Sequence, residues 1–226
     1  MDVTQIIRVY EKRLRDSPTI KNMAAKAATY KDAQSYATKT AEALIDVIKR
    51  YVDITALAQD EALELFPAAL ERNYAEVARI AASVQQKINK SAGLGLKALT
   101  PEFNLEKAQG LAKAITDAEQ ITEDYIRNLV VNNSRSIVDD TVRINAAAES
   151  NMGLAIRITR RYDDVGLHGG KDVCQWCMDR VGDWNSYSEA HAAGAFERHP
   201  GCGCVIEYHV GKTHTWSNSK GGWRDV

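Results

Sequence analysis

Apolar residues recur three and four positions apart through the first two thirds of the chain, which is the spacing that places them on one face of a helix. The stretches with this spacing are residues 3–14, 36–52, 70–88 and 111–129, and the last continues to residue 148. Alanine is abundant in the last stretch, and small side chains let neighbouring helices approach closely. We therefore predict a helical region over residues 1–153, with the apolar stripes forming the core of a bundle.

Proline, glycine and capping residues indicate where these helices begin and end. Ser17-Pro18 is predicted to end the first helix, and Gly93-Leu94-Gly95 to end the third. Pro67 fits either the first turn of the third helix or a kink. Thr100-Pro101-Glu102 has the capping hydroxyl, the first-turn proline and the acid of a helix start. Asn132-Asn133-Ser134 leaves room for a break within the last stretch.

The pattern changes in the last third of the chain. Residues 155–160 alternate apolar and polar side chains, as a strand does, and residues 204–210 are predicted to form a second strand. A short helix is predicted between them, over residues 188–195. Residues 211–226 are polar and are predicted to form a poorly ordered tail. The predicted fold is mainly α, with the helical region followed by a small α+β module over residues 154–210, stapled by zinc, and then the tail.

Composition and charge are those of an ordinary globular chain of 226 residues, with 45% hydrophobic and 26% charged residues. No stretch reaches the roughly 20 uncharged apolar residues of a membrane helix, and the N-terminus lacks a basic, apolar-cored signal. We therefore expect a protein that is cytoplasmic, or assembled from the cytoplasm, with no membrane contact. A net charge of −1 excludes a chain that coats DNA through overall basicity, but leaves room for a local basic patch.

Three arginines, Arg157, Arg160 and Arg161, form a short basic patch beside the cysteine-rich segment. Asp163 and Asp164 follow at once. Because electrostatic binding to nucleic acid needs several net charges, we interpret the patch as a solvated face.

All four cysteines lie close together in the last third, whereas a disulfide framework would spread them along the chain. Cys174 and Cys177 form a C-x-x-C pair, which places two thiolates close enough to share a tetrahedral ion at about 2.3 Å from each sulfur. His199, Cys202 and Cys204 offer three donors for the two remaining positions, and the sequence does not decide which of them is spare. These five residues are the predicted ligands of one structural metal ion.

The donor types favour zinc, because soft and borderline ligands select zinc over magnesium or calcium. Zinc would also supply folding energy to a segment with few large aliphatic side chains. Gly201 and Gly203 let the backbone fold closely around an ion. A redox dithiol and an iron site are the alternatives, although the spacing differs from the common ferredoxin runs. A catalytic zinc is disfavoured because such a site keeps one position open, and these donors suffice to close the shell.

The cysteine-rich segment resembles the MuF-like phage minor head proteins, also called phage head morphogenesis or minor capsid proteins. The resemblance rests on an Arg-rich strand, the Cys174-x-x-Cys177 pair, Gly182 with Trp184, a helix of small residues, and Arg198-His199-Pro200-Gly201-Cys202-Gly203-Cys204 leading into a strand. It covers residues 156–208, and the helical region agrees only in general character. The family usually has arginine where this chain has Gly203, a departure that leaves the ligands unchanged.

This resemblance implies a non-enzymatic protein made with the capsid and portal, located in the virion inside the head and in the host cytoplasm during assembly. Its implied partners are the phage portal and the major capsid protein; contact with packaged DNA and self-association stay open. One alternative is a zinc-module protein that binds nucleic acid. Another is a metal-dependent nuclease with His199 as its base, although no paired carboxylates near the motif support that activity.

Overall fold

A computed structural model describes residues 2–162 and 174–211 of the chain, together with the backbone of residues 214–217 and 222–225. The elements, in chain order, are α1 Val3–Asp16, α2 Pro18–Lys26, α3 Tyr30–Ile48, α4 Gln59–Ser91, α5 Leu105–Asp117, α6 Glu123–Asn151, β1 Ala155–Arg161, α7 Gln175–Met178, β2 Gly182–Trp184, α8 Tyr187–Ala192, β3 Val205–Gly211, β4 His214–Ser217 and β5 Gly222–Asp225. The protein is mainly helical with a small C-terminal sheet, which confirms the predicted fold class.

The helices pack around α3, α4 and α6, whose apolar stripes face one another as the sequence predicted. Fully buried side chains include Leu44 on α3, Leu70 on α4 and Val138 on α6. Helices α1 and α2 lie against α3, and α5 lies against α4. None of the described helices combines the length and the apolar composition that a membrane span requires.

Several predicted helix boundaries are confirmed. Ser17 closes α1 and caps α2, where its hydroxyl accepts a hydrogen bond from the Ile20 amide at 3.3 Å and Pro18 takes the first helical position. Gly93 follows the end of α4 with a left-handed φ of 73°, and the Leu94 amide bonds the Asn89 carbonyl at 2.8 Å. Glycine adopts this φ without the penalty that a Cβ would add, so the helix ends where the glycine stands.

One predicted helix start is wrong, and one of the two alternatives for Pro67 is excluded. Thr100-Pro101-Glu102 lies in an irregular segment, and α5 begins only at Leu105, because the Asn104 side chain caps it by accepting a hydrogen bond from the Lys107 amide at 2.8 Å. Pro67 is not at the first turn of α4 but inside it, since α4 begins at Gln59 and the Glu61 carboxylate binds the Ala58 amide at 3.1 Å.

The predicted continuous helix from residue 111 to 129 is also wrong. The chain leaves the helical conformation after Asp117 and re-enters it at Glu123, with the Thr122 hydroxyl accepting a hydrogen bond from the Tyr125 amide at 3.1 Å. The break therefore lies before Asn132-Asn133-Ser134, which α6 passes through without interruption. Ser134 remains within the helix, and its hydroxyl donates to the Val130 carbonyl one turn back.

Strands β1, β2 and β3 form an antiparallel sheet in the order β2-β1-β3. Both predicted long strands are present, β1 one residue longer than predicted and β3 starting one residue later, and the predicted short helix is α8. Within residues 211–226, predicted as a poorly ordered tail, β4 and β5 pair antiparallel with Trp216 opposite Trp223 in register.

The sheet packs directly on the helices. Ile158 and Ile206 on its inner face belong to the same buried apolar cluster as the cores of α3, α4 and α6. A polar connection accompanies the packing, since the Tyr208 hydroxyl on β3 donates to the Glu149 carboxylate on α6, and Gln85 on α4 donates to the same carboxylate at 3.1 Å. The predicted boundary at residue 153 thus separates two segments that share one core.

Candidate metal centre

The five predicted ligands come from two short pieces of backbone. Cys174 is the residue before α7 and Cys177 lies within that helix, so one helical turn carries both sulfurs; the Cys177 amide donates to the Cys174 carbonyl at 3.0 Å. His199, Cys202 and Cys204 lie on the loop that leads from α8 into β3. The Cys202 amide closes a turn onto the His199 carbonyl at 3.0 Å.

Gly201 allows this second turn to fold tightly. Its φ of 79° lies in the left-handed region, where a side chain would be strained. The left-handed φ at Gly201 is therefore the reason why this loop needs a glycine, as the sequence predicted.

The structure brings all five predicted ligands together in one cluster that can hold a metal ion. Their donor atoms form two triads, Cys174–Cys177–His199 and Cys177–Cys202–Cys204, in each of which all donors lie within 4.8 Å of one another. Cys177 belongs to both triads and is fully buried, whereas Cys174 and His199 are half-buried. A four-coordinate ion at this cluster takes donors from both triads, with Cys177 as the shared ligand.

The spacing of the donors fits a shared tetrahedral ion. Two sulfurs that are each 2.3 Å from one ion lie about 3.8 Å apart, and the Cys177 and Cys202 sulfurs are separated by 3.7 Å. The His199 Nε2 lies 3.2 Å from the Cys174 sulfur and 3.0 Å from the Cys177 sulfur, a little closer than the roughly 3.5 Å of ideal coordination.

The tautomer of His199 suits a ligand. Its Nδ1 lies 2.8 Å from the Pro200 carbonyl oxygen, which only accepts hydrogen bonds, so Nδ1 carries the proton. The lone pair is then on Nε2, the atom that faces the sulfurs. Metal-bound histidines commonly have their second nitrogen held by a backbone carbonyl in this way.

Buried arginines surround the Cys202–Cys204 loop. Arg135 on α6 donates to the carbonyls of Cys202, Gly203 and Cys204 at 3.0–3.4 Å. Arg198 donates to the Cys202 and Cys204 carbonyls at 3.3 and 2.7 Å. These bonds fix the position of the ligand loop from outside the metal shell.

One acidic residue balances part of this charge. Asp139 on α6 is 1% exposed, forms an ion pair with Arg198, and accepts a hydrogen bond from Gln34 on α3 at 2.5 Å. Gln34 also accepts from the Nε of Arg135 at 2.9 Å. The buried network therefore runs from the cysteine loop through α6 to α3.

Arg160 is the third buried guanidinium, 1% exposed on the inner face of β1. It donates to the Ala195 and Glu197 carbonyls and reaches the Cys202 sulfur at 3.5 Å. Its interpretation as part of a solvated face is therefore wrong. The alternation of β1 places Arg160 on the same face as Ile156 and Ile158, and this pattern was the available signal.

The pKa values of two of the clustered cysteines are shifted in opposite directions. A hydrogen bond from Cys204, helped by Arg198 and Arg160, lowers the pKa of Cys202 to about 3. Burial and the neighbouring Cys202 raise the pKa of Cys177 to about 12. One thiolate therefore forms readily and the second is opposed, and a metal ion removes that opposition because it binds both sulfurs as thiolates.

Trp176 packs beside the cluster. Its ring stacks under the Arg180 guanidinium at 3.9 Å and meets the His199 ring edge-on at 5.0 Å. Trp184 packs against the main apolar core instead.

Comparisons of this chain with protein-family models, with curated proteins and with solved structures found no match.

Proposed function

We propose that the cluster binds one zinc ion in a structural role. Cysteine sulfur and imidazole nitrogen are the donors that zinc takes in closed tetrahedral sites, and five of them are available for four positions. Cys177, Cys202 and Cys204 are buried, which limits access of water to that part of the shell. When bound, zinc would hold the turn at α7 and the loop before β3 as one unit.

Purified protein is expected to contain one zinc ion per chain, because the two triads share Cys177 and so form a single site. The measurement is elemental mass spectrometry, paired with titration of the released metal against modification of the cysteines. Release should follow cysteine modification. Protein without metal, or with a metal that stays bound after all four cysteines have reacted, would contradict the assignment.

We propose that the protein itself is a non-enzymatic minor head protein of a phage virion, acting inside the capsid near the portal or the inner wall. The observation that carries this proposal is that the donors of C-x-x-C and H-P-x-C-x-C meet in one cluster. In the chain this cluster follows the helical bundle and leads into strand β3. That is the arrangement that the resemblance to MuF-like proteins implies. In this role the helical region would bind the portal or the inner capsid wall, and the metal would hold the C-terminal module as a fixed docking surface.

The test is protein mass spectrometry of purified virions from the phage or prophage that encodes the chain. The chain should be recovered in fewer copies than the major capsid protein, and it should be protected from external protease until the heads are opened. Absence of the chain from complete virions, or its digestion in intact heads, would refute an internal minor head protein. The zinc measurement is independent of this outcome, so the two proposals can fail separately.

A further inference from the structure

Strand β3 has one edge that pairs with no other described strand. The sheet order β2-β1-β3 places it at the margin, and its other edge pairs with β1 along its whole length in continuous register. An exposed edge can pair with another chain, and proteins block such edges with short strands, prolines, bulges, charged side chains or a covering helix or loop. β3 has seven residues, no proline and no interruption in its register, and Glu207 is its single charged side chain.

Among the residues that the structure describes, part of this strand is accessible. A groove of about 860 Å³ lies beside it, between the start of α3 and the last turns of α4, and Glu207, Tyr208, His209 and Val210 line one wall. His209 is exposed. The helices that cover the inner face of the sheet therefore do not fill the space at this end of β3.

The sequence of β3 is complementary to itself when read in the antiparallel direction. If two copies align about Tyr208, Glu207 of one lies opposite the partner's His209, and by symmetry the pair occurs twice. On the inner face, Ile206 lies opposite the partner's Val210. A hydrogen-bonding polar pair and an apolar pair thus form on their respective faces in the same register.

Glu207 and His209 can each accept a further contact from a second chain. Glu207 lies 3.9 Å from Arg161 in an exposed pair, which leaves room for a second partner at its carboxylate. The imidazole of His209 has an N–H that can donate to a carboxylate.

We infer that two copies of this protein associate through antiparallel pairing of their β3 strands about Tyr208, so that their two sheets join into one. The partner is a second copy because this register sets the Glu207 carboxylate opposite the imidazole of the partner's His209, and the two-fold symmetry repeats that pair. The inference does not depend on the metal or on the proposed virion role. A symmetric interface of this kind closes on itself and produces a dimer rather than a filament.

The experiment is sedimentation velocity of the full chain over a wide concentration range, comparing the wild type with Glu207→Lys, His209→Glu and the double variant that carries both. The wild type should show a concentration-dependent dimer. His209→Glu sets Glu207 opposite a second carboxylate at two places in the interface and should weaken dimerisation roughly tenfold or more. Glu207→Lys removes both carboxylate acceptors and should weaken dimerisation less. The double variant places a Lys–Glu ion pair at both places and should regain the dimer.

A matched control is Asn22→Glu on the exposed surface of α2, which makes the same charge change as His209→Glu away from the strand. It should leave the dimer unchanged, and a thermal melt should show that all variants fold. A wild type that is monomeric at every concentration would overturn the inference. So would a dimer that survives both single variants, or a double variant that fails to recover it while remaining folded.

Discussion

Replacing Asp139 with asparagine is expected to lower the free energy of unfolding by about 3–5 kcal/mol. The carboxylate is fully buried and pairs with Arg198, which is also buried, so the variant leaves a guanidinium charge without its counter-ion. Arg135, 4% exposed, lies in the same network. Asparagine has nearly the same shape as aspartate, so a created cavity contributes little and the measured loss reports the charge.

The adjacent residue provides the control. Asp140 also forms an ion pair, with Arg143 at 3.1 Å, but both side chains are more than a third exposed. Exposed pairs contribute little, so Asp140→Asn should cost less than about 1 kcal/mol. Urea denaturation of the two variants compares a buried and an exposed aspartate on the same helix. Equal losses would mean that the arginines are compensated elsewhere and that Asp139 does not stabilise the ligand loop.

The sequence was sufficient to predict the helical region and the set of clustered donor residues, because both depend on local patterns. Helical spacing identified the buried faces of α1, α3 and α4, and the C-x-x-C and H-P-x-C-x-C spacings identified all five clustered donors. Each pattern is short and depends on the spacing of one class of residue. The helix or donor cluster that it predicts depends little on which distant segment packs against it.

The predicted helix start at Thr100 is wrong because two residues that can cap a helix lie in the same stretch. Thr100 and Asn104 both have capping side chains, and the sequence favoured Thr100 because proline and an acid follow it. In the fold the Tyr74 hydroxyl on α4 donates to the Pro101 carbonyl. The segment around Pro101 that makes this contact is irregular. Such a tertiary contact is not readable from the local sequence.

The buried charges were missed for a related reason. Arg135 and Asp139 lie one helical turn apart, but Arg198 is 59 positions beyond Asp139, and all three look like ordinary surface residues of a helix and a loop. Their roles depend on α6 lying under the cysteine loop, which is a result of tertiary packing. The hydrogen bonds from Arg135 to three loop carbonyls make the metal centre part of the helical bundle instead of an appendage to it.

Replacing Cys177 with serine is expected to abolish stoichiometric metal binding, with a loss of affinity greater than the roughly hundredfold that outer-shell changes alone produce. Cys177 is the donor common to both triads, so no alternative set of cysteines keeps the same geometry. Cys174→Ser should be milder, because Cys174 is half-buried and belongs to one triad. Metal content after dialysis against a weak chelator measures both effects.

The same variant tests how far the metal centre supports the rest of the fold. Without the ion, the Cys202–Cys204 loop loses its anchor and Arg135 and Arg198 lose ordered carbonyl partners, so the melting temperature should fall by many degrees. The far-UV helix signal at low temperature should remain, since α3, α4 and α6 bury their own apolar core. Met178→Ser changes a neighbouring residue that is 50% exposed and should affect neither metal nor melting. If Cys177→Ser keeps one metal ion per chain and melts like the wild type, the two triads do not form the metal site, since removing their only common sulfur would then have had no effect on it.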